Sequence, residues 1–192
     1  KNDAPHLLTR FVLKSAGLDP DRDVTLSYVG TSAEAVPLLL AGKADAAVLP
    51  EPAASAAEIK AKQAGISIAR ALDVTELYAA RSGRPAGIPQ AGLAVTKTFL
   101  DAHPDVVAAL HAASVAAAGW VADNSKAAAA LIADPLKLPV PIVEASLPRF
   151  RLKVASASEA KVDLEAYFSA LMTLSPDIVA GPRIGITKVA DR

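Results

Sequence analysis

A glutamate stands between two prolines at residues 50–52, where an apolar run ends and an alanine-rich run begins. Proline restricts φ on both sides of Glu51, and Pro52 suits the first position of a helix. Glutamate is a weaker N-cap than serine, threonine, aspartate or asparagine. Two interpretations therefore stay open. The carboxylate interacts with the positive end of a helix dipole, which contributes about 0.3–1 kcal/mol, or the rigid turn holds an acceptor towards a ligand's N–H, O–H or cationic group.

Other candidate binding residues are polar side chains at the starts of predicted helices or in loops. Thr31 stands three residues before Glu34, the spacing of a capping box, so it is predicted to cap a helix, with ligand contact as a second role. Asn2 and Asp3 are either caps of the first helix or ligand-binding residues, and Gln90 is either a loop residue without a role or a contact. The predicted ligand-binding set is Glu51, Thr31, Asn2, Asp3, Ser32 and Gln90.

Residues for catalysis or metal binding are not arranged in a recognisable pattern. The spacing of His6, His103 and His111 does not predict a shared metal site. Ser55 lacks the flanking glycines of a nucleophile elbow. The sequence has neither a glycine-rich phosphate loop nor a dinucleotide-binding motif. We therefore expect no enzyme activity, no cofactor and no metal.

The hydrophobic periodicity predicts an α/β fold. Residues 5–16 and 52–65 read as helices, and a third helix begins near Thr31, although Pro37 either kinks it or moves its start to about residue 33. Residues 24–30, 46–50 and 66–71 are predicted as neighbouring, mostly parallel strands with helices on both faces. Further predicted elements are a strand at 92–96 and helices near 104–123, 125–133, 139–147 and 158–173.

Composition limits the classes of partner. The 192 residues suffice for one domain or two small lobes. Lysine plus arginine equals aspartate plus glutamate, 20 each, so no overall field attracts nucleic acid. The most apolar stretch, residues 105–122, is rich in alanine and includes His111, and we expect no direct membrane insertion. The chain has no cysteine, which excludes disulfides and thiolate metal sites.

Three stretches of the chain resemble the nitrate/sulfonate/taurine (SsuA/NMT1-like) family of ABC-transporter substrate-binding proteins. They are GLDPDRDVTLSYVGTSAEAVPLLLAGKADAAVLPEPAAS, IPQAGLAVTKTFLDAHPDVVAALHAA and WVADN. The resemblance implies a type II periplasmic binding protein fold, with a parallel-rich sheet flanked by helices. Residues 1–90 would form the second lobe, and residues 91–192 the crossover strand and C-terminal helices that partly return to the first lobe. The family's first-lobe strands would precede Lys1, and the tail at 181–192 matches no family element.

The resemblance also implies a function. The family captures a small organic or anionic solute between two lobes and delivers it to a membrane permease driven by an ATPase, outside the cytoplasm and typically in the periplasm. The loops that hold Thr31 and Glu51 face the cleft in that family, and Asn2 and Asp3 lie near it. These residues are therefore binding candidates by resemblance.

Two functions of other classes remain as alternatives. A THI5-like pyrimidine-precursor synthase resembles the same fold but relies on a cysteine-rich motif, and this chain has no cysteine. The effector-binding domain of a transcription regulator also shares the architecture, and a helix-turn-helix would then precede it.

Overall fold

The computed structural model describes residues 4–83, 88–89 and 91–174. The described elements are helices joined by irregular segments. In chain order they are α1 (Ala4–Ser15), α2 (Ser32–Leu40), α3 (Ala53–Gln63), α4 (Val74–Ser82), α5 (Lys97–Ala102), α6 (Pro104–Asp123), α7 (Ser125–Leu136), α8 (Val140–Ser146), a 3-10 helix (Leu147–Arg149) and α9 (Ala157–Leu174).

The predicted helix boundaries at the start of the chain are confirmed within two residues. Helix α1 ends before Gly17, whose φ of +82° is the left-handed conformation that glycine adopts without a Cβ penalty. Pro52 is the N-cap of α3 rather than its first residue. Pro37 lies inside α2, which begins at Ser32, so the proline does not move the start of this helix.

Helices α1, α4 and α9, here called the first helical group, share one hydrophobic core. Leu7 and Leu8 of α1 pack with Tyr78 of α4 and with Tyr167 and Leu171 of α9. The rings of Tyr78 and Tyr167 meet edge to face with centroids 6.0 Å apart. Burial raises the pKa of the Tyr167 hydroxyl, and the neighbouring Tyr78 raises it further.

The other helices, α2, α3, α5 to α8 and the 3-10 helix, are here called the second helical group. Its core is built from small side chains, because Ala128, Ala129 and Ala133 of α7 contact Val143 of α8 and Leu147 of the 3-10 helix. Helix α3 packs against both α2 and α8, and α6 packs against α5 and α7. Across the described residues, no helix of the first group packs against a helix of the second. The described part of the chain therefore has two separate helical cores.

The predicted α/β fold of the type II periplasmic binding protein kind, with its parallel-rich sheet, is wrong for the described residues. Within the described ranges no strand is formed, and segments 24–30, 46–50, 66–71 and 92–96 are irregular connections between helices. Val24 and Leu26 are half-buried whereas Thr25 and Ser27 are exposed, but Tyr28, which continues the side of Val24 and Leu26, is 42% exposed. A strand also needs hydrogen bonds to a neighbouring strand, and no backbone hydrogen bond joins these described segments to one another. Alternation of apolar and polar residues favours burial of one face, but it does not specify a neighbouring strand for hydrogen bonding.

Helices α4 and α5 were not predicted. Asp73 caps α4 by accepting hydrogen bonds from the backbone N–H groups of Thr75 at 2.9 Å and Glu76 at 3.2 Å. Thr96 caps α5 through a bond from the N–H of Phe99 at 3.2 Å. The Asp73–Glu76 spacing, with Gly83 beyond the last turn, is a helix-boundary pattern that the sequence already contained.

Helix α6 has apolar residues on most of its surface, and much of this surface is exposed to solvent. By length and composition it is the described helix that would suit a membrane span, with 20 residues and a mean hydropathy of 1.5. None of that span is buried, and Val106, Leu110 and Trp120 are between 44% and 48% exposed. Length and composition alone do not distinguish a membrane span from a soluble helix that packs against another surface.

Candidate functional site

The Glu51 carboxylate lies at the N-terminus of α3 and has two contacts that the sequence analysis did not identify. One oxygen, Oε2, accepts a hydrogen bond from the backbone N–H of Ser55 at 3.2 Å. The other, Oε1, lies 2.7 Å from NH1 of Arg70, an ionic contact without a favourable hydrogen-bond angle. Because the side chain is only 10% exposed, the charge of Glu51 is largely removed from water and compensated within the protein.

Arg70 connects two side chains of α3 with Glu51, which precedes the helix. Its Nε and NH2 donate to the two carboxylate oxygens of Glu58, each at 2.9 Å, in a bidentate pair. NH2 also lies 3.2 Å from the Oγ of the buried Ser55. The bonds to Glu58 raise the pKa of Arg70, partial burial offsets this, and Glu51 raises the pKa again. Arg70 therefore stays cationic and holds the three side chains that it contacts. We call these four residues the Arg70 cluster: Glu51, Ser55, Glu58 and Arg70.

Thr31 is the N-cap residue of α2 by backbone conformation, with φ −140° and ψ 156°. Its hydroxyl donates to Glu34 Oε1 at 3.1 Å instead of accepting a bond from the helix backbone. Glu34 Oε2 accepts from the N–H of Gly30 at 3.1 Å. The predicted pair of Thr31 and Glu34 is therefore in contact, but the contact is not a capping box, because Thr31 accepts no bond from the helix backbone and Glu34 bonds to the N–H of Gly30. Ser32 is the first residue of α2 and is half-buried.

The structure describes three of the six predicted binding residues: Thr31, Ser32 and Glu51. Thr31 and Glu51 lie at the N-terminal ends of α2 and α3, two helices that pack against each other. Among the described contacts, none joins the side chains of Thr31 and Glu51. Asn2, Asp3 and Gln90 lie outside the described residues. Ligand binding by all six residues stays a prediction.

Arg70 and Glu58 are the residues of this region that the sequence analysis missed. Arg70 interrupts the apolar run at 66–72, where a charged side chain requires a partner. Glu58 follows Glu51 by seven residues, about two helical turns, so one cation can reach both carboxylates. These two signals indicate that Arg70 and Glu58 need charge partners, but they do not specify which side chains meet.

The histidines lie in separate places. His6 is on α1, with its ring 4.9 Å from the Tyr28 ring in an edge-to-face contact. His103 lies between α5 and α6, and His111 is exposed on α6. In the described ranges, no group of three or more histidine, aspartate or glutamate side chains is placed to hold a metal ion.

One surface depression lies away from the Arg70 cluster, in the loop after α1. It has a volume of about 500 Å³ and is lined by Lys14, Gly17, Leu18, Asp19, Pro20 and Asp21. Its lining includes none of the predicted binding residues. Nearby, Arg10 pairs with Asp21 through NH1 at 2.7 Å, so the loop is fixed to α1.

A comparison with known families matches residues 2–136 of the chain to the model of the NMT1-like family. That match covers more than half of the sequence. The chain belongs to the NMT1-like family. The matched range contains the Arg70 cluster, Thr31 and the three stretches that resemble the family. Membership of the family supports a solute-binding or related function, with a small molecule as the partner. No curated protein matched the chain in a sequence search. No solved structure matched it either.

Proposed function

We propose that this chain is the solute-binding component of an ABC importer. It captures a small organic or anionic solute of the sulfonate, nitrate, taurine or pyrimidine-precursor type and delivers it to the permease and ATPase subunits. It works in the periplasm or another extracytoplasmic compartment, and it catalyses no reaction. The observation that carries the proposal is membership of the NMT1-like family over residues 2–136.

The proposed binding residues that the structure describes lie at helix N-termini or close to them. Helix N-termini present unpaired N–H groups and a positive dipole end, which suit an anionic or zwitterionic solute. Thr31 and Ser32 begin α2, and Glu51 precedes α3. We propose that these residues, with Asn2, Asp3 and Gln90, contact the solute.

Arg70 changes the charge argument about the solute. An isolated carboxylate at the site would repel an anion, because like charges interact strongly where water is partly excluded. Glu51 instead has a guanidinium 2.7 Å away. Arg70 also pairs with Glu58, so two carboxylates share one guanidinium and the cluster stays negatively charged, which gives an ammonium or N–H donor of the solute an acceptor in Glu51. An anionic group of the same solute would instead bind the N–H groups at the start of a helix. This pattern favours a zwitterion such as an aminosulfonate.

Calorimetric titration with taurine, an alkanesulfonate, nitrate and a pyrimidine amine tests the role of Glu51. Glu51→Gln removes the charge and keeps the size of the side chain. If Glu51 contacts the solute, this change costs about 1.5–3 kcal/mol of binding free energy, the range for a hydrogen bond to a charged group. The titration is made at a temperature at which both proteins are folded, so that a loss of stability does not appear as a loss of affinity.

Glu58→Gln is the matched control, because Glu58 contacts the same arginine and is not a proposed binding residue. We expect Glu58→Gln to leave the affinity unchanged. Equal affinities for the wild type and both variants would show that Glu51 only stabilises the start of α3. Equal losses in both variants would show that the Arg70 cluster acts through the fold instead of by direct contact.

A further inference from the structure

Two segments that connect the helical groups meet at a single arginine. Segment 64–73 leads from α3 in the second group to α4 in the first, and segment 150–156 leads from the 3-10 helix to α9. Arg151, in the second of these segments, donates from NH2 to Asp73 Oδ2 at 2.9 Å. Its NH1 lies 2.8 Å from Glu76 Oε1 in the first turn of α4. The arginine thus joins positions that are 78 residues apart in the chain.

The backbone at Arg151 indicates that its side chain is needed there. Arg151 follows the C-cap of the 3-10 helix and has a φ of +49°. This left-handed conformation favours glycine, because a Cβ comes close to the following carbonyl oxygen. The chain nevertheless has an arginine at this turn, and the guanidinium forms both ion pairs. Glycine would fit the backbone better and could not make either contact.

Asp73 couples these ion pairs to the start of α4. Its Oδ1 caps the helix, while its Oδ2 accepts the bond from Arg151. The orientation of α4 is therefore linked to the end of the 3-10 helix, which belongs to the other helical group. The two groups share no helix–helix contact in the described part of the chain, so a contact between their connecting segments affects their relative orientation.

We propose that Arg151 is a tether that holds the first helical group in one orientation relative to the second. The proposal concerns the two cores of this chain and does not depend on the solute-binding function. The three side chains are between 40% and 55% exposed, so the tether is weak and salt-sensitive. Two exposed ion pairs change the equilibrium constant between two orientations of the groups by roughly two- to thirtyfold.

Distance measurement between spin labels tests the tether. The chain has no cysteine, so Ala80→Cys on α4 and Ala130→Cys on α7 give one label in each group at exposed positions. In low salt we expect a single narrow distance distribution for the doubly labelled chain. Arg151→Gln in this background should broaden the distribution or add a second distance. The doubly labelled protein that retains Arg151 should show the same change in 1 M NaCl, because the Debye length falls to about 3 Å.

Arg149→Gln is the matched control. Arg149 lies two residues away and donates to the Ala145 carbonyl oxygen instead of an acidic side chain. Arg149→Gln should leave the distance distribution unchanged. Arg151→Gly relieves the backbone strain and removes the ion pairs, so it should behave as Arg151→Gln does. A narrow distribution in Arg151→Gln, or no effect of salt on the protein with Arg151, would overturn the proposal. The salt titration needs no Arg151 variant, so a distribution that salt does not change overturns the proposal even if the variants do not fold.

Discussion

Replacement of Arg70 by glutamine tests whether the Arg70 cluster holds α3 in place. The change removes the cation that lies 2.7 Å from Glu51 and the bidentate partner of Glu58. Breaking a fully buried ion pair costs about 3–5 kcal/mol, and an exposed pair contributes about 0–1 kcal/mol. Glu51 is 10% exposed but Arg70 is 35% exposed, so solvent screens part of the interaction. We expect Arg70→Gln to lower the free energy of unfolding by about 1.5–3 kcal/mol.

A double-mutant cycle in urea separates the contact with Glu51 from other effects of the substitution. The cycle compares Glu51→Gln, Arg70→Gln and the double variant, and we expect a coupling energy of about 1–2 kcal/mol. The same cycle with Glu58→Gln should give a smaller coupling, about 0.5–1 kcal/mol, because Glu58 is 33% exposed. Additivity of Glu51→Gln and Arg70→Gln within about 0.5 kcal/mol would refute the ion pair as a stabilising contact.

Three further predictions concern helix ends and the first core. The N–H of Ser156 donates to Glu159 at 2.8 Å, and this bond, followed by the one from the Ser156 hydroxyl, lowers the pKa of Glu159 below 4.5. A lowered pKa means that the stabilisation is present above pH 4.5 and is lost as the pH falls through the folded-state pKa. NMR titration of Glu159 should show a lowered midpoint that rises only part of the way to the ordinary value in Ser156→Ala, because this substitution removes the hydroxyl and keeps the backbone N–H. Gly83→Ala should lower the free energy of unfolding by about 1 kcal/mol, because φ is +67° although no atom lies near the new Cβ; no change by urea titration would contradict this. Leu7→Ala, in the first core, should cost about 2–5 kcal/mol, whereas Leu110→Ala, on exposed α6, should cost less than about 0.5 kcal/mol in the same assay.

The helices of this chain follow from local signals that the sequence contains. Gly17 marks the end of α1, and Pro104 marks the start of α6, because these residues act through their own backbone preferences. Helix α4 has equally local signals in Asp73 and Gly83, so its omission is an error of interpretation.

The irregular segments could not be predicted in the same way. The alternation is matched by burial only at residues 24–27, and a strand also depends on a partner segment that no local pattern specifies. The same limit applies to the candidate site. Pro50 and Pro52 predict a rigid turn at Glu51, whereas the contact with Arg70, 19 positions later, depends on how the chain returns to α3.

The most direct test of the central claim is a thermal-shift measurement on the complete chain with a panel of sulfonates, amines, pyrimidines and oxyanions. A solute that binds the folded state adds about 2.7 kcal/mol at 100 times its Kd. For a chain of this size that stabilisation raises Tm by about 5–10 °C. Solute binding predicts such a rise for at least one member of the panel, with a dependence on solute concentration. A cooperative unfolding transition whose Tm no member changes, even at millimolar concentration, would contradict the proposed function.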